Sequence, residues 1–131
     1  MASELRVNTL KDASGNNSIA TSYVANGPKS WVYLNGFTFG IQDSFNTASA
    51  TDNGEGDYTT TRTNAFVNDD YATAGLCSAT TGGNAHYNFI VENQDNRLRS
   101  TTQLRTWILN PVEVNQNDAL DYSMTFTGDL A

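Results

Sequence analysis

Nowhere along this chain do apolar side chains recur at three- and four-residue spacing over a dozen positions. Gly, Asn, Thr and Ser interrupt nearly every such stretch, and the apolar residues return at every second place or in short runs. That pattern excludes a helical fold and predicts an all-β one. Leu5, Val7 and Thr9 alternate, Lys11 to Ser18 reads as a turn, and Ile19 to Val24 reads as a returning strand. Asn26-Gly27-Pro28 then breaks the chain, because Gly permits positive φ and Pro has no N–H for a ladder. Residues 1–28 are therefore expected to form an N-terminal arm, and residues 29–131 the β body.

Within the body, Trp31 to Leu34 reads as a strand, and Asn35-Gly36 is a strong hairpin signal. Phe37, Phe39 and Ile41 alternate on one face of the strand expected to follow. Asn46 to Asp57 is Ser-, Thr-, Asn- and Gly-rich. Tyr58, Thr60 and Arg62 alternate with Thr59 and Thr61, and Tyr71 to Cys77 forms a further apolar stretch. Tyr87 to Val91, Leu98 to Thr102 and Leu104 to Leu109 are expected to pair as a meander, with Val112 to Asp118 as a connection. Leu120, Tyr122, Met124 and Phe126 form the buried face of a closing strand. Seven or eight strands separated by turn signals predict a single antiparallel β-sandwich or jelly-roll-like domain with a short extended N-terminal arm.

Composition matters here for how such a domain holds together. Leu, Ile, Val and Phe number 26 of 131, and the net charge is −7. That is lean for a self-sufficient core, although six Phe, six Tyr and two Trp supply large apolar area per residue. The polar surface comes from 16 Asn, 17 Thr and 10 Ser rather than from charges. No window approaches 18 consecutive apolar residues, and the start of the chain lacks the basic and apolar regions of a secretory signal. Seven Lys and Arg without a basic cluster leave little to neutralise phosphates, so no nucleic-acid partner is expected. One cysteine, Cys77, closes no intrachain disulfide, and one histidine, His86, makes no zinc site by itself.

The candidate chemistry is sparse. Asp52-Asn53-Gly54-Glu55-Gly56-Asp57 offers three carboxylates on a flexible segment, but it lacks EF-hand spacing and suits a tight exposed turn better. His86, Cys77 and Ser78 are the material of a nucleophilic site, yet neither Gly-x-Ser-x-Gly nor His-Glu-x-x-His occurs, and Cys77 fits a small core residue. Trp31 and Tyr33, two apart, share one strand face and offer a sugar-stacking platform, although a place in the core is the stronger expectation; Trp107 is expected in the core as well. Arg97, Arg99 and Arg105 are expected on solvated strand faces or paired with acidic residues of an adjacent subunit. No catalytic, metal or cofactor residue is assigned.

Lys29 to Gly36, then Ile41-Gln42-Asp43-Ser44-Phe45-Asn46, then Thr51 to Thr59 together resemble a domain found in tail-fibre-like and other virion structural proteins of marine bacteriophages, notably cyanophages. Leu5 to Asn16 is similar to the start of those proteins, so the matched stretches span about residues 5 to 60. The resemblance implies a non-enzymatic component of the virion surface, a tail-fibre- or knob-like appendage contributing to host attachment or a capsid decoration protein. It implies no catalytic residues. A lean, anionic chain without disulfides fits assembly into a homotrimer alongside other virion proteins, with the arm gripping a neighbour. Loops such as Thr80 to Asn84 and Asn93 to Asn96 would contact a host cell-surface glycan through avidity. The alternatives from other classes are a monomeric carbohydrate-binding module using Trp31 and Tyr33 and, more weakly, a small glycan hydrolase.

Overall fold

The computed structural model describes residues 8–11, 18–20, 27–78, 88–93, 95, 98–110 and 115–131. Among them are eleven strands and no helix. The strands are β1 (Thr9–Lys11), β2 (Ser18–Ala20), β3 (Ser30–Asn35), β4 (Gly40–Phe45), β5 (Thr47–Gly54), β6 (Asp57–Arg62), β7 (Ala72–Cys77), β8 (Phe89–Glu92), β9 (Gln103–Asn110), β10 (Asn115–Gln116) and β11 (Tyr122–Thr127). All pairings are antiparallel. One body sheet has the order β4-β3-β11-β7; the other runs β10-β9-β6-β5, with β8 also paired to β9. The protein is thus an all-β, sandwich-like domain. Within residues 1–28, β1 and β2 form their own two-stranded sheet, with Thr9 opposite Ala20 and Lys11 opposite Ser18.

Alternation divides each central strand into an inner and an outer row. Val32 and Leu34 of β3, Tyr58 of β6, Leu104 and Ile108 of β9, and Tyr122, Met124 and Phe126 of β11 meet in the core with Phe66, Tyr71 and Ala119. Thr60, Arg62 and Thr106 occupy inner positions too, which explains how a chain with few aliphatic residues fills its interior. The buried tyrosine hydroxyls have partners. The Tyr58 hydroxyl donates to Asp118 Oδ1 at 2.7 Å, and Thr106 Oγ1 and the Tyr122 hydroxyl are 2.8 Å apart. The rings of Tyr58 and Tyr122 meet edge to face at 5.6 Å. Burial first, and Asp118 next, raise the Tyr58 hydroxyl far above its ordinary pKa; burial does the same at Tyr122.

Arg62 is the most consequential inner residue, only 3% exposed. Its guanidinium carbon lies 4.5 Å from the Tyr71 ring centre, 4.9 Å from that of Phe126 and 5.1 Å from that of Phe66. Nη2 donates to the Tyr71 hydroxyl and to Ser100 O, each at 3.0 Å, and Nε donates to Thr101 O at 3.4 Å, while Nη1 has no acceptor among the described residues. Burial lowers its pKa, and Tyr71 pushes the other way. The same Tyr71 ring takes Arg99 at 4.4 Å, whose Nη2 donates to Tyr71 O at 2.7 Å and whose Nε donates to Asp69 O at 3.1 Å.

Several sequence expectations need correction. Asn35-Gly36 does not make a two-residue turn: the chain turns over residues 36–39 and β4 starts at Gly40. Phe37 is therefore exposed in the turn, Phe39 packs on the core, and Ile41 is partly exposed. Gly36 is needed for close approach. A Cβ there would run into the Tyr58 hydroxyl and come within 2.5 Å of Ala119 O, the acceptor of the Gly36 N–H. The Ser/Thr-rich segment after Phe45 is largely strand β5, because β6 supplies a ladder partner that composition does not reveal. Leu98 to Thr102 forms no strand, only an isolated bridge from Arg99 to Leu104. Asn115–Gln116 in the expected connection forms β10, and Leu120 is 40% exposed rather than part of the buried row.

Replacing Arg62 by Lys removes the planar fork and the ring stacking while keeping a charge in the core. This variant should lose roughly 2–4 kcal/mol of unfolding free energy in urea denaturation, as expected when a buried, hydrogen-bonded charge loses its partners.

Candidate functional site

The outer faces of the two sheets differ in chemistry. On β3, Trp31 and Tyr33 alternate with the buried Val32 and Leu34 and so face outward, which corrects the expectation that they belong to the core. The register sets Trp31 beside Phe45 of β4 and Thr125 of β11, and Thr125 beside Ala74 of β7. The next row runs Asp43, Tyr33, Ser123, Leu76. Tyr33 is 38% exposed, Phe45 55% and Leu76 79%. The Tyr33 hydroxyl donates to Asp121 Oδ1 at 2.5 Å, and Asp121 raises the phenol's pKa through this bond and its charge. The result is an aromatic and aliphatic shelf with hydroxyls and two carboxylates among the rings. Alternation along the chain does not single out Phe45, because a bulge opposite Tyr33 and Leu34 shifts its phase relative to Ile41.

The outer face of the second sheet is polar and internally satisfied. Arg105 grips Asp57 with both nitrogens, Nε to Oδ1 at 2.9 Å and Nη2 to Oδ2 at 2.7 Å. Asn53 Nδ2 reaches Asp57 Oδ1 at 3.4 Å and Thr59 Oγ1 at 2.9 Å, and Asn93 Nδ2 reaches Asp57 Oδ2 at 3.3 Å. Burial works against ionisation of Asp57, but Arg105, the Trp107 indole and Asn53 outweigh it and hold the carboxyl below its ordinary range. Trp107 lies half-buried on this outer face, not in the core.

These contacts redirect several candidate residues. In the acidic segment, Glu55 and Gly56 form the β5–β6 turn, with Gly54 at φ 138° and Gly56 at φ 64°. Asp52 Oδ1 accepts the Gly54 N–H at 2.9 Å, and Asp57 points to Arg105, so these carboxylates serve the turn and the sheet. Among the described residues no three His, Cys, Asp or Glu converge on a metal-sized site. Arg105, on the outer face of β9, pairs with Asp57 of the same chain, and Arg99 stacks on Tyr71; Arg97 lies outside the described residues. Asn93 is buried rather than presented on a loop. His86, Thr80 to Asn84, Gln94 and Asn96 lie outside the described residues, and Asp95 is exposed.

Cys77 is half-buried against the core, and burial raises its thiol pKa, the opposite of what activates a thiolate nucleophile. Ser78 Oγ accepts the Asp121 N–H at 2.9 Å. A cavity of about 110 Å³ opens between the sheets beside Thr73, Gly75, Ile90, Leu104, Thr106 and Met124. The shelf on the β4-β3-β11-β7 sheet is thus the best-developed candidate surface among the described residues.

The Asp57 pair generates a pH prediction. A carboxyl with a depressed folded-state pKa stabilises the fold above its unfolded value, and that contribution is lost as pH falls through the folded one. Stability should therefore decline below about pH 4, the unperturbed carboxylate range. Asp57→Asn should cost roughly 1–3 kcal/mol at pH 7, discounted for the partly exposed Arg105, and flatten this acid limb in denaturation curves recorded between about pH 2 and 7. Comparison of the chain with family models, curated proteins and solved structures returned no match.

Proposed function

We propose that this chain is a non-enzymatic structural protein of a bacteriophage particle, a tail-fibre- or knob-like surface appendage that works as an assembly of identical copies and contributes to attachment at the host surface. The observation that carries the reading is the outer face of the β4-β3-β11-β7 sheet, where Phe45, Trp31, Tyr33, Ala74 and Leu76 form cross-strand rows with large exposed apolar area. A shelf of this kind on a small domain is characteristic of an interaction surface. Its composition favours copies of the same chain. The protein carries −7 overall, and among the described residues Asp43 and Asp121 are the only carboxylates in or bonded to these rows, so anionic subunits meet there with little repulsion. The resemblance of residues 5–60 to phage virion proteins supports the particle setting, whether as an appendage or as a decoration protein on the capsid.

A second reading has its own support. Trp31 and Tyr33 face outward, and the Tyr33 hydroxyl is anchored by Asp121, an arrangement also suited to stacking a sugar ring. Solution mass separates the two. The assembly reading expects sedimentation at a multiple of the chain mass, three copies for the homotrimer. Phe45→Asp should shift the distribution toward monomer while leaving the circular dichroism unchanged. A monomer whose Trp fluorescence responds to soluble glycans would support the binding module instead.

A further inference from the structure

Among the described residues, strand β7 is an edge of its sheet. Within that set it pairs with β11 on one side only, in an unbroken register from Ala72 opposite Thr127 to Cys77 opposite Tyr122. Natural edges are blunted by charges, prolines, bulges or shortness. Ala72-Thr73-Ala74-Gly75-Leu76-Cys77 has no charge, no proline and no bulge, and its residues from Ala72 to Leu76 are all exposed. The opposite edge of the same sheet, β4, carries Asp43 and the bulge facing Tyr33 and Leu34. Beside β7 there is also unfilled space on both faces. The cavity of about 110 Å³ lies on the inner side at Thr73 and Gly75. A shallow apolar groove follows Ala74, Leu76, Ser123 and Thr125 on the outer side.

The arm presents the complementary need. A sheet of two three-residue strands is marginal by itself in water, and Leu10 of β1 is 44% exposed. Residues 1–28 balance Arg6 and Lys11 against Glu4 and Asp12, so the whole charge of −7 resides in residues 29–131. The arm is therefore the part of a second copy that approaches an anionic body without repulsion. At the end of β1 stands the exposed Lys11, and just before β7 stand the exposed Asp69 and Asp70.

We infer that β1 of a second copy adds antiparallel to the free edge of β7, with Lys11 near Ala72 and its ammonium on Asp69 and Asp70. Leu10 then falls opposite Thr73, on the face that lines the cavity, and Thr9 opposite Ala74 on the outer face. Main-chain hydrogen bonds supply the affinity of such strand addition, and the alternating side chains supply its register. The contact is heterologous, arm to edge, so repetition closes a ring when the rotation allows it, as a trimer requires.

This inference rests on the self-assembly reading above, and the test separates their failures. Sedimentation of the full-length chain over a concentration series is compared for wild type, Lys11→Glu, Asp69→Lys/Asp70→Lys, and the three substitutions combined. All three positions are exposed, so folding is preserved. Each charge reversal alone should raise the dissociation midpoint by about tenfold or more, and the combination should restore it, with the effect shrinking at high salt. Hydrogen exchange at the β7 amides that point away from β11 should slow only where the wild type is assembled. A wild type that stays monomeric overturns assembly itself. An assembled wild type insensitive to Lys11→Glu, a reversal without rescue, or protection in the monomer of the β7 amides that point away from β11 overturns the strand addition and leaves assembly standing.

Discussion

A guanidinium held out of water organises one end of this sandwich. Removing an arginine from solvent costs several kcal/mol, and Arg62 offsets that cost with three aromatic rings and three hydrogen bonds. To do so it needs Phe66 and Tyr71 from the stretch between β6 and β7, Phe126 from β11, and the carbonyls of Ser100 and Thr101 just before β9. Residues from both sheets and two connections are thereby fixed by one side chain. Arg99 adds to the same ring from outside and, by donating to Tyr71 O and Asp69 O, ties the stretch before β9 to the chain entering β7. Where a chain of this size would ordinarily use more aliphatic bulk or a disulfide, a cationic group among rings does the joining.

Polar groups with partners close at hand carry much of the remaining order. Asp118 accepts from the Tyr58 hydroxyl and from the Gly56 N–H at 2.8 Å, linking the β5–β6 turn to the chain entering β11. Asp57 anchors Arg105, Asn53 and Asn93 across three strands and a loop. Asn46, at φ 52°, donates from Nδ2 to Lys29 O at 3.0 Å and accepts the Asn64 N–H at Oδ1 at 2.7 Å, joining the two sheets where β4 passes into β5. With the polar residues spent internally, the apolar shelf and the bare β7 edge stand out as the parts of the described surface that the fold itself does not use. Both lie on the β4-β3-β11-β7 sheet and share Ala74 and Leu76, so the proposed assembly would employ them together.

Legibility in the sequence followed the strength of alternation. β11 was readable because Tyr122, Met124 and Phe126 alternate with polar residues, and β3 was readable as a strand. Its facing was not: both faces of β3 are apolar, so Trp31 and Tyr33 against Val32 and Leu34 is a choice that only the opposing sheet makes. β5 was hidden because its Ser, Thr, Asn and Asp residues lie at a largely exposed edge, where pairing with β6 rather than burial holds the strand. The acidic turn was recognisable from its glycines, whereas the partner of Asp57 lies 48 residues away on β9.

By itself the sequence determined that the chain would be all-β, that it would turn within Asp52 to Asp57, and that its interior would be lean and aromatic. These follow from two-residue periodicity and from backbone preferences, which act locally. The tertiary structure alone decided that Arg62 would be interior, that Trp31 and Tyr33 would face out, and that Arg105 would belong to Asp57. Those outcomes depend on which strands become neighbours, and a side chain's burial and its partner are properties of that arrangement rather than of its place along the chain.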